Sequence, residues 1–172
     1  MHLKRLDLIM NNFDAKPMPE FLGILVKLEY LNLSYTGFAG GVPPHLGNLS
    51  SIRFLDLHCK SDFYDCSPLS IGKCVHWLSR ITSLEYLDMS IVNLSKLGDN
   101  WIHDINKLSS ISLLLLSNVG FSNIPHTLSH INLTSLAMLD LSDNTFASTV
   151  PVGYLILPLF GILTLDIVLS MK

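Results

Sequence analysis

Residues 28–57 read LEYLNLSYTGFAGGVPPHLGNLSSIRFLDL, a stretch that opens and closes on the same phrase of three apolar residues spaced LxxLxL. Leu28, Leu31 and Leu33 form the first copy, and Ile52, Leu55 and Leu57 the second. Outward from it the phrase returns as Leu3-Leu6-Leu8 upstream, then as Leu84-Leu87-Met89, Ile111-Leu114-Leu116 and Leu136-Leu139-Leu141 downstream. The middle residues lie 25, 24, 32, 27 and 25 positions apart, a period of about 24 with one long insertion. Alternation within each phrase sends its last two apolar residues to one side and the residues between them to the other, as a strand requires. A single such unit cannot bury its apolar side. Stacked units can, by pairing their strands into a parallel sheet and packing the leucines of successive turns together. At roughly 1.5–3 kcal/mol for each buried leucine, contacts between neighbouring turns would be the main source of stability.

Composition excludes several alternatives. Of 172 residues 49% are hydrophobic and 15% charged, which is incompatible with a disordered or charge-driven chain. The net charge is -3, and no basic run exceeds Lys4-Arg5. No nucleic-acid partner is expected, because phosphate binding needs a concentrated basic face. The first residues, Met1 to Leu8, carry polar or charged groups too often to form the apolar core of a secretory signal. Residues 150–169 are mostly apolar and long enough to cross a bilayer, but Pro151, Gly153, Pro158, Gly161 and Asp166 interrupt them. Membrane attachment through this segment is only weakly indicated.

A second pattern links the strands. Phe38 to Leu49, with its Val42-Pro43 step, is echoed by Phe121 to Pro125 with Leu128 and by Phe146 to Pro151. Phenylalanine would fill the turn after each strand, and the Val-Pro or Ile-Pro step would begin the return path. With these segments the sequence resembles plant-type leucine-rich repeats, whose strand phrase LxxLxLSxN is followed by L-x-G-x-(I/V)-P. The runs ITSLEYLDMSIVNLSK and SNIPHTLSHINLTSLAMLDLSDNTF are similar to ectodomains of plant receptor-like proteins. The resemblance spans about residues 3–151. It implies an α/β solenoid: a right-handed superhelix of about six repeats, with a parallel β-sheet on the concave face and a mostly irregular or 3-10 convex side. The whole chain, 1–172, reads as one domain, with a long insertion at 58–76 and a degenerate apolar segment at 152–172.

Departures from the pattern are specific. The family places asparagine three residues after the last strand leucine, where its amide bonds the backbone of a neighbouring turn. Asn11 and Asn144 occupy that place here, whereas Thr36, Lys60, Val92 and Val119 stand at the other four. Backbone groups there need other partners. No cysteine-paired cap precedes the first phrase and Met1 falls inside a repeat, so the chain reads as an internal piece of a longer ectodomain.

Candidate chemistry is sparse. His58 to His76 hold all three cysteines, Cys59, Cys66 and Cys74, but no CxxC pair, so structural zinc is not expected there. One disulfide with a thiol left over and three unpaired thiols remain the alternatives. Ser34, Ser90, Ser117 and Ser142 recur at one repeat position, as do Asp7, Asp56, Asp88 and Asp140, so they form columns and do not converge as catalytic sets. No enzyme activity, metal or cofactor is expected. Four N-x-S/T sequons occur, of which Asn48, Asn93 and Asn132 are the glycosylation candidates; Asn32 lies within a strand.

The residues flanking each middle leucine should face away from the core. The first position gives Arg5, Tyr30, Phe54, Tyr86, Leu113 and Met138; the second gives Asp7, Asn32, Asp56, Asp88, Leu115 and Asp140. An aromatic column beside an acidic one suits recognition, because rigid rings bury large area at small entropic cost and charges set orientation. Tyr30, Phe54, Asp56, Tyr86, Asp88 and Asp140 are thus the candidate ligand-binding residues. The resemblance implies a peptide, protein or glycan ligand, a partner receptor kinase that carries the signal, and a place on the extracellular face of the plasma membrane. A truncated, non-signalling fragment and a piece tethered through 150–169 are the competing readings.

Overall fold

A computed structural model describes residues 2–59, 69–72, 75–123, 132–146 and 163–164. Each LxxLxL phrase forms one three-residue strand around its middle leucine. These are β1 (Arg5–Asp7), β2 (Tyr30–Asn32), β4 (Phe54–Asp56), β6 (Tyr86–Asp88), β7 (Leu113–Leu115) and β8 (Met138–Asp140). All pair in parallel and in chain order, and the middle leucines lie in one row: Leu6, Leu31, Leu55, Leu87, Leu114 and Leu139. The strands are short because the chain turns as soon as the second inward leucine has been placed.

Six strands were expected, and the sheet has a seventh. β9 (Leu163–Thr164) pairs with β8 through Leu139↔Leu163 and Asp140↔Thr164. The segment 152–172 therefore contributes a further strand. Its signal is Phe160-Leu163-Leu165, spaced like the other phrases and 24 residues beyond Leu139, with an aromatic residue in place of the first leucine. Among the described residues no helix is long and apolar enough to cross a membrane. Most of 150–169 lies outside those residues.

A second, two-stranded sheet joins β3 (Gly40–Gly41) to β5 (Leu69–Ser70), also in parallel, with bridges from Pro17 to Ala39 and from Ser70 to Asn93 on either side. This places part of the expected insertion inside the regular coil. Leu69, Ile71 and Val75 are buried, at 5%, 2% and 1% exposure; residues 60–68 and 73–74 of the insertion lie outside the described set.

Return paths run as short 3-10 turns at Glu20–Ile24, Pro44–Asn48 and Leu78–Arg80, and as Ser95–Asn100 leading into α1 (Trp101–Ile105). Close stacking of these turns depends on glycine. A Cβ on Gly23 would meet the His45 carbonyl, and one on Gly47 would lie 2.8 Å from the Trp77 carbonyl oxygen, both backbone groups that cannot swing aside. Between the sheets and the turns lies one apolar core in which Leu28, Leu31, Leu46, Leu49, Ile52, Leu55, Leu84 and Leu87 are wholly buried. The recurring phenylalanines do fill the corners. Phe13 stacks on Phe38 at 4.4 Å, and Phe121 stacks on Trp101 at 4.3 Å.

The chain leaves most strands through a left-handed residue two places after the last leucine. Met10, Tyr35, Ile91, Asn118 and Asp143 have φ of 61°, 56°, 68°, 52° and 57°. Asparagine and aspartate tolerate this region, whereas a β-branched side chain such as that of Ile91 is strained in it. The broken asparagine ladder is repaired locally. Asn144 donates to the carbonyls of Leu116, Leu141 and Ser142 and accepts from the amides of Val119 and Phe121, the pattern the family asparagine provides. Thr36 manages only the bond within its own turn, to the Leu33 carbonyl at 2.6 Å. Val92 and Val119 are instead buried in the core.

Candidate functional site

Parallel register brings the first outward position into a continuous column: Arg5, Tyr30, Phe54, Tyr86, Leu113 and Met138 are successive partners. Strand spacing of roughly 4.8 Å is close to the thickness of stacked rings, so parallel pairing of like residues produces stacking directly. Tyr30 and Phe54 stack at 4.2 Å, Phe54 and Tyr86 at 4.1 Å, with planes within 10°. The guanidinium of Arg5 caps the stack 3.6 Å above the Tyr30 ring, a cation–π contact. All three rings are half-buried on the face turned away from the core. At the entrance of the strands a charged row runs alongside, with Lys4 paired to Glu29 at 2.7 Å and Arg53 paired to Glu85.

The second column differs from expectation. Asn32, Asp56 and Asp88 are only 7%, 6% and 6% exposed, so no open acidic stripe lies beside the rings at these strands. Each side chain folds over the turn that follows it. The backbone amide two residues on donates to it: Ser34 to Asn32 at 2.9 Å, His58 to Asp56 at 3.0 Å, Ser90 to Asp88 at 2.8 Å and Ser142 to Asp140 at 2.9 Å. A three-residue strand leaves that amide without a ladder partner, and a carboxylate or amide at this position satisfies it. Asp140, near the less covered end, remains half-buried.

One residue in the repeat breaks step. His58 stands where four other repeats have serine, and its Nδ1 lies 2.9 Å from Asp56 Oδ1 and 3.4 Å from Asp88 Oδ2. The edge of its ring meets Tyr35 at 4.6 Å. Its hydrogen bond to Asp56 raises the imidazole pKa above the ordinary value against the opposing effect of burial. Burial raises the carboxyl of Asp88, and burial with the nearby Asp88 and Asp56 charges raises the phenol of Tyr86. His58 was not singled out among the candidates. The signal was its substitution into the serine column between two aspartates of the next column.

Cys59, directly after His58, is disulfide-bonded, which removes the reading with three unpaired thiols; Cys66 and Cys74 lie outside the described residues. Of the sequons, Asn93 is exposed and its Oδ1 accepts the amide and hydroxyl of Ser95 at 3.1 and 2.7 Å. Asn132 is exposed and Asn48 half-buried, while Asn32 is enclosed by its bond to Ser34.

A family model described as Leucine Rich Repeat matches residues 27–49. Over 151 residues the chain is 38% identical to receptor-like protein EIX1 of Solanum lycopersicum, covering 86% of this chain and 14% of that protein. It is 32% identical over 149 residues to receptor-like protein 41 of Arabidopsis thaliana, covering 87% and 16%. Among solved structures, the Arabidopsis receptor kinase HAESA, crystallised with the peptide hormone IDA and the co-receptor SERK1, is similar with a TM-score of 0.64 at 29% identity. That match covers 83% of this chain and 22% of HAESA. The chain thus spans well under a fifth of the length of these two receptor-like proteins.

Proposed function

Because this chain is a leucine-rich repeat solenoid of the plant receptor-like protein kind, we propose that it is a recognition module that binds an extended peptide or protein segment across its open sheet face. The carrying observation is the unbroken Arg5-Tyr30-Phe54-Tyr86 stack on that face. Stacked rings cannot rotate independently, so a ligand laid over their exposed edges orders little that is not already ordered. Leu113 and Met138 continue the column as a flexible apolar extension that accepts varied side chains. Asp56 and Asp88 contribute here by fixing the strand exits, whereas exposed Asp7, paired with Arg5, and half-buried Asp140 are the acidic residues of the column open to a basic ligand group. The column of recurring serines and aspartates serves the turns and brings no acid, base and nucleophile together, which favours a binding role.

HAESA is a receptor kinase with a bound peptide and a co-receptor. By the same logic this module belongs on the extracellular side of a plasma-membrane receptor and passes its signal through a partner kinase. Asn93 and Asn132 are the sequons exposed enough to carry glycans. The test is selection of a displayed library of linear peptides on the full chain, followed by binding to a Tyr30→Ala/Phe54→Ala/Tyr86→Ala variant whose fold is verified by circular dichroism. Selected peptides should lose at least tenfold in affinity on the variant. Peptides that bind both chains equally, or a library that yields no binder, would place recognition elsewhere.

A further inference from the structure

Buried at the exit of β4 and β6 are two carboxylates in directly facing register, Asp56 and Asp88, each 6% exposed. Like charges across a strand pair repel, and burial removes the water that would screen them. Every other pair in this column avoids the problem: Asp7 faces Asn32, Asn32 faces Asp56, Asp88 faces Leu115, and Leu115 faces Asp140. Only at this pair does the serine column carry an imidazole, and that imidazole points its Nδ1 between the two carboxylates. The donor atoms of Asp56, His58 and Asp88 all lie within 4.8 Å of one another.

We infer that Asp56, His58 and Asp88 form a binding site for a divalent transition-metal ion of the zinc class. Ligand atoms about 2.0–2.1 Å from a tetrahedral zinc are separated from each other by roughly 3.4 Å. The two separations from Nδ1, 2.9 and 3.4 Å, bracket that spacing, and all three ligand atoms lie within 4.8 Å of one another, so closing on an ion needs rotation of the carboxylates and no movement of the strands. A mixed set of one imidazole and two carboxylates favours a borderline metal over calcium or magnesium, which prefer all-oxygen shells. Three protein ligands leave a fourth position for water or for a donor atom of a bound partner. The ion binds Nδ1 with the ring proton held on Nε2, any second proton leaving to solvent, and sets two positive charges between two negative ones. The ligands are held in advance. The Asp56 and Asp88 carboxylates are oriented by the His58 and Ser90 amides, the His58 ring meets the Tyr35 ring, and the next residue in the chain, Cys59, is disulfide-bonded. This donor set contains no cysteine, and it stands whatever the aromatic column binds.

The experiment is calorimetric titration of the full chain with zinc sulfate at neutral pH, under non-reducing conditions with free thiol alkylated. Wild type should take up one zinc per chain and show a raised Tm with the metal. His58→Ser, which restores the residue carried by four other repeats and should fold, is expected to lose binding at least tenfold together with the Tm rise. Asp104→Asn, which alters the separate His76–Asp104 pair, should leave both unchanged. Calcium should bind at least tenfold more weakly than zinc. Stoichiometric zinc retained by His58→Ser, equal affinity for calcium, or no zinc uptake by the folded wild type would each overturn the assignment.

Discussion

The run Ser112-Leu113-Leu114-Leu115-Leu116 offers the sharpest check on the register, because four identical side chains follow one another with nothing in their chemistry to separate them. In the structure Leu114 is 1% exposed and paired between Leu87 and Leu139, whereas Leu113 and Leu115 are half-buried on the opposite face. Truncating Leu114 to alanine removes a fully enclosed side chain from an interior turn, and its neighbours are held by strand pairing on both sides, so the cavity cannot collapse. The loss should be about 2–5 kcal/mol, the range for enclosed leucines. Leu115→Ala removes a side chain that solvent already reaches, and should cost under about 1 kcal/mol. For a chain of this length each kcal/mol moves Tm by roughly 2–4 °C, so the two variants should differ by several degrees at least. Urea unfolding followed by tryptophan fluorescence suits the measurement, since Trp77 and Trp101 are both buried, at 5% and 2% exposure, in the turns before and after β6. Equal losses for Leu114→Ala and Leu115→Ala, or a greater loss for Leu115→Ala, would refute the inward and outward assignment on which the outward column also depends.

Two further outcomes follow from local geometry. Ile91 holds a β-branched side chain at φ 68°, so Ile91→Asn should raise Tm by relieving about 1 kcal/mol of strain, and a lowered Tm would show that its packing outweighs the backbone. Asp104, 5% exposed, is pushed up by burial, but hydrogen bonds from Lys107 and His76 outweigh this and hold its carboxyl below the ordinary value of 3.8. Its stabilisation is therefore complete above that value and lost as pH falls through the lower folded one, so the Tm gap between wild type and Asp104→Asn should shrink in acid and be constant above about pH 5. A gap that widened on acidification would contradict the pairing.

Repetition made the core legible before any coordinates. Leu28, Leu31, Leu33 and their equivalents had to face inward, because a period-two strand repeated every 24 or so residues has one apolar side and no other way to bury it. The outward column was legible for the same reason: parallel pairing of equal phrases places Tyr30, Phe54 and Tyr86 in one line. Their stacking at 4.1–4.2 Å is a consequence of strand spacing. The seventh strand was hidden because Phe160 replaced the expected leucine within an apolar segment that also satisfied the length of a membrane span.

Tertiary structure alone decided what the second column does. Pattern places Asp56 and Asp88 outward, but whether an outward side chain reaches solvent depends on where the chain goes next, and after three residues it turns and leaves an amide that each carboxylate folds back to meet. His58 likewise has meaning only in register. Thirty residues separate it from Asp88 in sequence, and only the pairing of β4 with β6 brings its imidazole between two buried carboxylates. Periodicity specifies which face a residue takes because that depends on local backbone geometry. The neighbours it meets there depend on how the turns stack, and that is set by the packing of the whole coil.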